Sequence, residues 1–110
     1  KEKRADAIQK ATKKAIEVPL NVMRKSRRAS EMAFAMAKIG NLNAISDTGI
    51  AGEMALAACR SASLNVLINL NFLRDPEYSK KISKEHEEIL EMVESLRKEI
   101  DSLVVGKIKN

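Results

Sequence analysis

The sequence predicts an all-α protein, an elongated antiparallel bundle of three long helices, and three observations lead there. Hydrophobic residues make up 45% of the 110 residues but aromatic ones only 3%, so the core must come from Ala, Ile, Leu, Met and Val, a mixture that favours helix. Four glycines and two prolines leave few places for turns. No segment alternates strictly between apolar and polar residues as a half-buried strand would, whereas apolar residues recur at steps of three and four over three long stretches. A chain of this length is one domain at most.

The first helix is expected from about Arg4 to Ile39. Its apolar positions Ile8, Ala11, Ala15, Val18, Val22, Ala29, Met32, Ala33, Met36 and Ala37 keep mostly to helical steps. Pro19 interrupts this pattern, lacks a backbone donor and crowds the preceding turn, so a kink or a break is expected near Glu17 and Val18. Gly40 ends the helix, as a residue that tolerates a left-handed conformation does. Asn43 or Ser46 is the expected cap of the second helix, which should reach about Phe72 or Leu73. Asp75 is a natural N-cap for the third, with Pro76 at the first helical position and Glu77 behind it. That helix should run to about Val105 and end at Gly106. Its stripe Ile82, His86, Ile89, Val93, Leu96, Ile100 and Leu103 forms a coiled-coil-like seam.

The second helix organises the rest. Asp47 and Asn65 lie about five full turns apart and point the same way, with Asn43 and Asn69 each one step of four from them. Between these polar ends the face carries Ala51, Met54, Ala58 and Ala62, side chains small or pliable enough for another helix to approach closely. Its other faces hold Ile50, Leu56, Leu64, Val66, Leu67, Ile68 and Leu70, with Glu53 and Arg60 the only charges past the first turn. A helix apolar nearly all round must be surrounded. Two neighbours do not suffice, so the bundle is expected to be completed by dimerisation, by a further helical half, or by both.

The run GNLNAISDTGIA (Gly40–Ala51), followed by LNVLINL (Leu64–Leu70) and preceded by AIQKATKKAIEVPL (Ala7–Leu20), resembles the C-terminal half of the cyclodeaminase/cyclohydrolase family of folate enzymes. The similarity spans about Lys3 to Val104, and three separated motifs in order make it specific. The family's N-terminal half, with its Thr-Pro-Gly-Gly-Gly-Ser-like motif, has no counterpart here. The resemblance implies a helical bundle that pairs into a homodimer, with a folate groove to which both subunits contribute. It implies hydrolysis of 5,10-methenyltetrahydrofolate to 10-formyltetrahydrofolate, or deaminating cyclisation of 5-formimidoyltetrahydrofolate to 5,10-methenyltetrahydrofolate. A non-catalytic helical dimerisation module derived from the family is the alternative.

By spacing alone, Asp47 with Asn43 and Ser46 reads first as capping of a helix start, where a carboxylate is favoured by unpaired amides and the dipole. The resemblance reverses that order, because these residues match the family's Asn-x-x-Ser-Asp core. Asp47 is then the expected catalytic carboxylate, delivering water to an electrophilic carbon or a proton to a leaving nitrogen, with Asn43 and Ser46 beside the substrate. Asn65 and Asn69 match the family's Asn-Val-x-Ile-Asn segment and read equally as ligand-binding amides or as helix tethers.

Arg24, Lys25, Arg27 and Arg28 form a basic cluster that is either a solvated face or, through Arg24, Arg27 and Arg28, an anion site for a folate's glutamate tail, in keeping with the net charge of +5. Scattered acidic residues, the scarcity of aromatics and the absence of any recognition motif argue against nucleic acid. His86, the single histidine, reads as an interface residue ahead of an acid or base. Cys59 reads as a small buried side chain, with neither a thiol nucleophile nor a metal site around it. The glycines form no phosphate loop, so no nucleotide cofactor is expected, nor any tightly bound one; a tetrahydrofolate derivative would be the substrate carrier. No apolar run is long enough to span a bilayer. One cysteine suits a reducing cytoplasm. The opening KEKR lacks the apolar core of a signal peptide and reads as the interior of a longer chain.

Overall fold

The computed structural model describes residues 2–110. Helices α1 (Glu2–Ile39), α2 (Ile45–Leu70) and α3 (Pro76–Lys109) follow one another. Connections this short make consecutive helices antiparallel, and the result is a rod of 66 × 19 × 16 Å. The all-α bundle expected from the sequence is the fold observed.

Local chemistry sets most helix ends. Gly40 has φ of 68°, the only positive value among the described residues, and its N–H donates to the Met36 carbonyl at 3.2 Å. Asp75 caps α3 by accepting from the Tyr78 N–H at 3.1 Å, with Pro76 behind it. The other cap differs from expectation. Neither Asn43 nor Ser46 caps α2; Ala44 holds that position without a side-chain bond. Thr48 Oγ1 donates to the Ala44 carbonyl at 3.0 Å, while the Asn43 N–H donates to Asn41 Oδ1 at 3.1 Å in an Asx-type turn.

Two helices depart from their expected courses. α2 stops at Leu70, because the N–H groups of Phe72 and Leu73 fold back onto Asn69 and Leu70 at 3.1 and 3.2 Å. α3 passes through Gly106 to Lys109; glycine in a helix costs only about 1 kcal/mol, and nothing there demands a left-handed residue. α1 is continuous through Pro19, so the chain does not break there. The one carbonyl that proline leaves without its helical donor is that of Ala15, and Ala15 and Pro19 line an open cleft.

The buried stripe of α1 is Ile16, Leu20, Met23, Ser26, Ser30, Ala33 and Ala37. Of the apolar positions singled out in the sequence, only Ala33 and Ala37 belong to it; Ile8, Val18, Val22, Met32 and Met36 are exposed. On α3 the seam is as read until its last step, where Val104 is buried and Leu103 is not. A straight helix drifts from a strict seven-residue repeat, and a final step of four follows that drift. Two apolar cores result, one around Leu20, Val66 and Ile89, the other around Ile45, Leu96 and Ile100. Where α2 crosses α3, a Cβ added to Gly52 would lie 3.2 Å from Ile100 Cγ2, so the glycine is what allows that approach.

The outside of the rod has two characters. α3 shows solvent a charged face that includes Lys84, Glu88, Glu91 and Lys98. The opposite side, formed by α1 and α2, leaves large apolar side chains bare: Val18 is 71% exposed, Met32 69%, Leu64 68% and Met54 66%. α2 is therefore not surrounded within one chain, as its composition foretold.

Candidate functional site

The groove between α1 and α2 on this apolar side opens into two clefts. One, of about 420 Å³, is walled by Met32 and Met36 of α1 and edged by Asp47 and Ala51 of α2. The other, of about 410 Å³, lies between Val18, Pro19 and Val22 of α1 and Ser61, Asn65 and Asn69 of α2. Two residues of the expected Asn-x-x-Ser-Asp cluster do not line the first cleft. Asn43 sits in the preceding turn, and Ser46, one residue from Asp47, points about 100° away around the helix.

Asp47 occupies the first turn of α2 and is exposed. Its carboxylate enters none of the ion pairs found among the described residues. The arrangement offers a carboxylate at a helix start, on the rim of an apolar cavity. Such a group can accept a proton from water or orient a cationic or polarised centre. Asn65 presents its amide to the second cleft, while Asn69 is partly committed, donating through Nδ2 to the Asn65 carbonyl at 2.8 Å. On one helix, eighteen residues separate Asp47 from Asn65 by about 27 Å. They share a face, as the sequence indicates, but no single cleft of one chain holds both.

The basic cluster disperses. Arg24 grips Glu85 of α3 through Nε at 2.6 Å and a second guanidinium nitrogen at 2.9 Å, and touches Glu17 at 3.3 Å. These hydrogen bonds, that to Glu85 foremost, raise the guanidinium pKa further and hold the Glu85 carboxyl below the usual carboxylate range. Arg24 is thus a tether between α1 and α3. Arg27 leans toward Glu31 at 3.8 Å on the side facing α3, and Arg28 stays exposed. The partner that fixes Arg24 lies 61 residues away, a pairing for which the sequence carries no local signal.

His86 is 8% exposed, and its Nε2 meets Ser63 Oγ at 2.5 Å across the α2–α3 seam. Burial lowers its pKa, with Glu87 and Ser63 opposing. Shut inside the bundle, it is the interface histidine that its position on the seam suggested. Cys59 is buried, and burial first, then Glu94, pushes its thiol up to about 11. Among the described residues, no group of three or more His, Cys, Asp or Glu side chains converges on a metal position, and no helix is long and apolar enough to cross a membrane.

Fold and clefts together define a three-helix bundle that carries a carboxylate-edged apolar groove along one side. The chain belongs to the formiminotransferase-cyclodeaminase family, whose sequence model matches residues 1–88. It is 40% identical over 105 residues to a methenyltetrahydrofolate cyclohydrolase of Methylorubrum extorquens, an alignment covering 96% of this chain and 50% of that protein. It is also 36% identical over 98 residues to a formimidoyltransferase-cyclodeaminase of Dictyostelium discoideum, covering 88% of this chain and 18% of that protein. The chain thus spans half the length of the first relative and under a fifth of the second. The family read from the three motifs is the family found.

Proposed function

We propose that this chain acts in folate one-carbon metabolism in the cytoplasm, as a homo-oligomer and as the C-terminal part of a cyclodeaminase/cyclohydrolase-like domain. The reaction is hydrolysis of 5,10-methenyltetrahydrofolate to 10-formyltetrahydrofolate, or deaminating cyclisation of 5-formimidoyltetrahydrofolate to 5,10-methenyltetrahydrofolate. The folate is the carrier of the one-carbon group, and no tightly bound cofactor takes part.

The observation that carries this reading is the position of Asp47, outside the ion pairs found among the described residues, on the rim of an apolar cleft, in a chain of this family. Apolar walls suit the flat face of a pterin, and a few polar groups suffice to orient it. In hydrolysis, water adds to the electrophilic methenyl carbon and Asp47 takes the proton that the water gives up; as the carbon–nitrogen bond of the ring opens, the adduct's hydroxyl becomes the formyl carbonyl and its remaining proton passes to the freed ring nitrogen. In the cyclisation, N10 of the folate attacks the formimidoyl carbon and loses its proton, and the same carboxyl gives a proton to the nitrogen that departs as ammonia. Asn65 and Asn69 supply amides to the ring edge, Asn43 and Ser46 flank the substrate at the helix start, and Arg28 is the cation of the basic cluster left for a glutamate tail, Arg27 being turned toward α3.

The test is spectrophotometric loss of the methenyl chromophore with the purified chain and with Asp47→Asn, which keeps shape and removes the base. A fall in kcat/KM of roughly 10²–10⁴ is expected; a variant as active as the parent refutes the role of Asp47. A second reading, a non-catalytic assembly module, is favoured by the separation of about 27 Å between Asp47 and Asn65 along α2. A chain that forms stable oligomers but turns over neither folate decides for it.

A further inference from the structure

Pro19 is a residue that the stability of α1 does not explain. It sits in mid-helix, and α1 runs through it unbroken from Glu2 to Ile39. A proline in a helix interior is strongly destabilising, because its ring crowds the preceding turn and its nitrogen carries no hydrogen. Its local product is a backbone acceptor, the Ala15 carbonyl, left without the N–H that closes the turn in an ordinary helix. That carbonyl is aimed along α1 from Ala15 toward Pro19, and both residues line the cleft of about 410 Å³ between α1 and α2.

The facing wall of α2 matches it. The cleft runs from Ala15 to Val22 on one wall and from Asn69 back to Ser61 on the other, so Ala15 falls at the level of Asn69 and Pro19 near that of Asn65. Ser61 has committed its hydroxyl to the Ala57 carbonyl at 2.8 Å. Asn69 donates to the Asn65 carbonyl at 2.8 Å and keeps its Oδ1, while Asn65 lends that contact only its backbone, so its amide stays available. Val18 and Val22, both exposed, add apolar surface. The cleft therefore offers a fixed backbone acceptor on one wall and, on the other, an amide that both donates and accepts. That set suits a flat heterocycle with N–H groups and a carbonyl side by side on one edge.

We propose that this cleft seats the pterin ring by its amino-pyrimidinone edge, and that Pro19 is a positioning residue whose missing N–H reserves the Ala15 carbonyl for the ring's exocyclic amino group. This rests on the folate reading and names what orients the ring. The Asn65 amide pairs with the rest of that edge: its N–H donates to the ring carbonyl, and its Oδ1 accepts from the neighbouring ring N–H. The exocyclic amino group, next along the edge, then needs a further acceptor, and the Ala15 carbonyl is one that no helical donor competes for. With any other residue at position 19, the backbone N–H would close the turn and take that acceptor. Asp47 of the same chain stands about 27 Å away along α2, so a carboxylate acting on a ring held here belongs to another copy in the homo-oligomer.

Pro19→Ala tests this, because it drives binding and stability in opposite directions. The restored N–H closes the turn on the Ala15 carbonyl, so the urea midpoint should rise. In calorimetric titration, 5-formyltetrahydrofolate, a stable folate, should bind the variant about three- to tenfold more weakly than the parent, the effect of one hydrogen bond. A 2-desamino-2-methyl analogue of the same folate has no exocyclic amino group and should bind parent and variant equally. Asn65→Ala, on the facing wall, should weaken both ligands alike. A variant damaged in its fold would lose stability and binding together, so the opposed signs belong to the carbonyl alone. Folate affinity unchanged by Pro19→Ala, an equal loss for both ligands, or a urea midpoint that does not rise overturns the role of Pro19 and leaves the folate reading standing. A parent chain that binds neither ligand overturns both.

Discussion

Replacing His86 with Gln isolates the stability that a buried neutral imidazole withholds at low pH. In the unfolded chain the ring titrates near pH 6.5. In the fold its pKa is lower, because burial between α2 and α3 penalises the charged form more than Glu87 and the Ser63 hydroxyl favour it. The folded protein then binds fewer protons than the unfolded one below pH 6.5. The histidine therefore costs nothing at pH 7.5, and stability falls as the pH drops through 6.5 toward the folded pKa. Between pH 7.5 and 5.5 the loss is bounded at about 1.4 kcal/mol, the value reached if the folded ring never protonates. With a urea dependence of about 1–1.5 kcal/mol per molar for a chain this size, the midpoint should fall by up to about 1 M. Glutamine retains a donor and an acceptor for Ser63 and does not titrate, so urea unfolding of His86→Gln should show little change over the same interval. The carboxyls of Glu85 and Asp75, both held below their ordinary range, lose their contribution only near pH 4.5 and below. A parent midpoint that does not move, or a Gln variant that falls as far as the parent, refutes the argument.

Two glycines should respond in opposite directions. Gly40→Ala forces a side chain into φ of 68° and should lower stability by about 1–2 kcal/mol in thermal or urea melts. Gly106→Ala enters a regular helix with nothing within 4 Å of the new Cβ and should raise stability by up to about 0.5 kcal/mol, the full gain being reduced near a fraying end. Arg24→Gln removes the two-pronged grip on Glu85; because both side chains are about a third exposed, the loss should be about 1 kcal/mol and should shrink in high salt.

Where the sequence was readable, the information was local. Gly40, Asp75 and Pro76 each act within a few residues through backbone conformation or a missing donor, and the helix ends beside them fall where expected. Gly106 misleads because glycine permits a stop without imposing one. α1 carries two interleaved apolar stripes, and hydrophobicity ranks the wrong one first: the buried stripe contains Ser26 and Ser30, while the bare one contains Val18, Val22 and Met32. No count of apolar residues separates a face that meets its own chain from a face that meets something else. For the site, angular arithmetic placed Asp47 and Asn65 on a common side, and the groove between α1 and α2 follows from it. The capture of Arg24 by Glu85 depends on how α1 and α3 pass one another, which only the folded chain reveals.

Three passes are an odd number, so Glu2 of α1 and Lys109 of α3 stand at opposite poles of a 66 Å rod. Dyes on these two residues are therefore a ruler for the whole length of the rod, and neither disturbs the clefts along its middle.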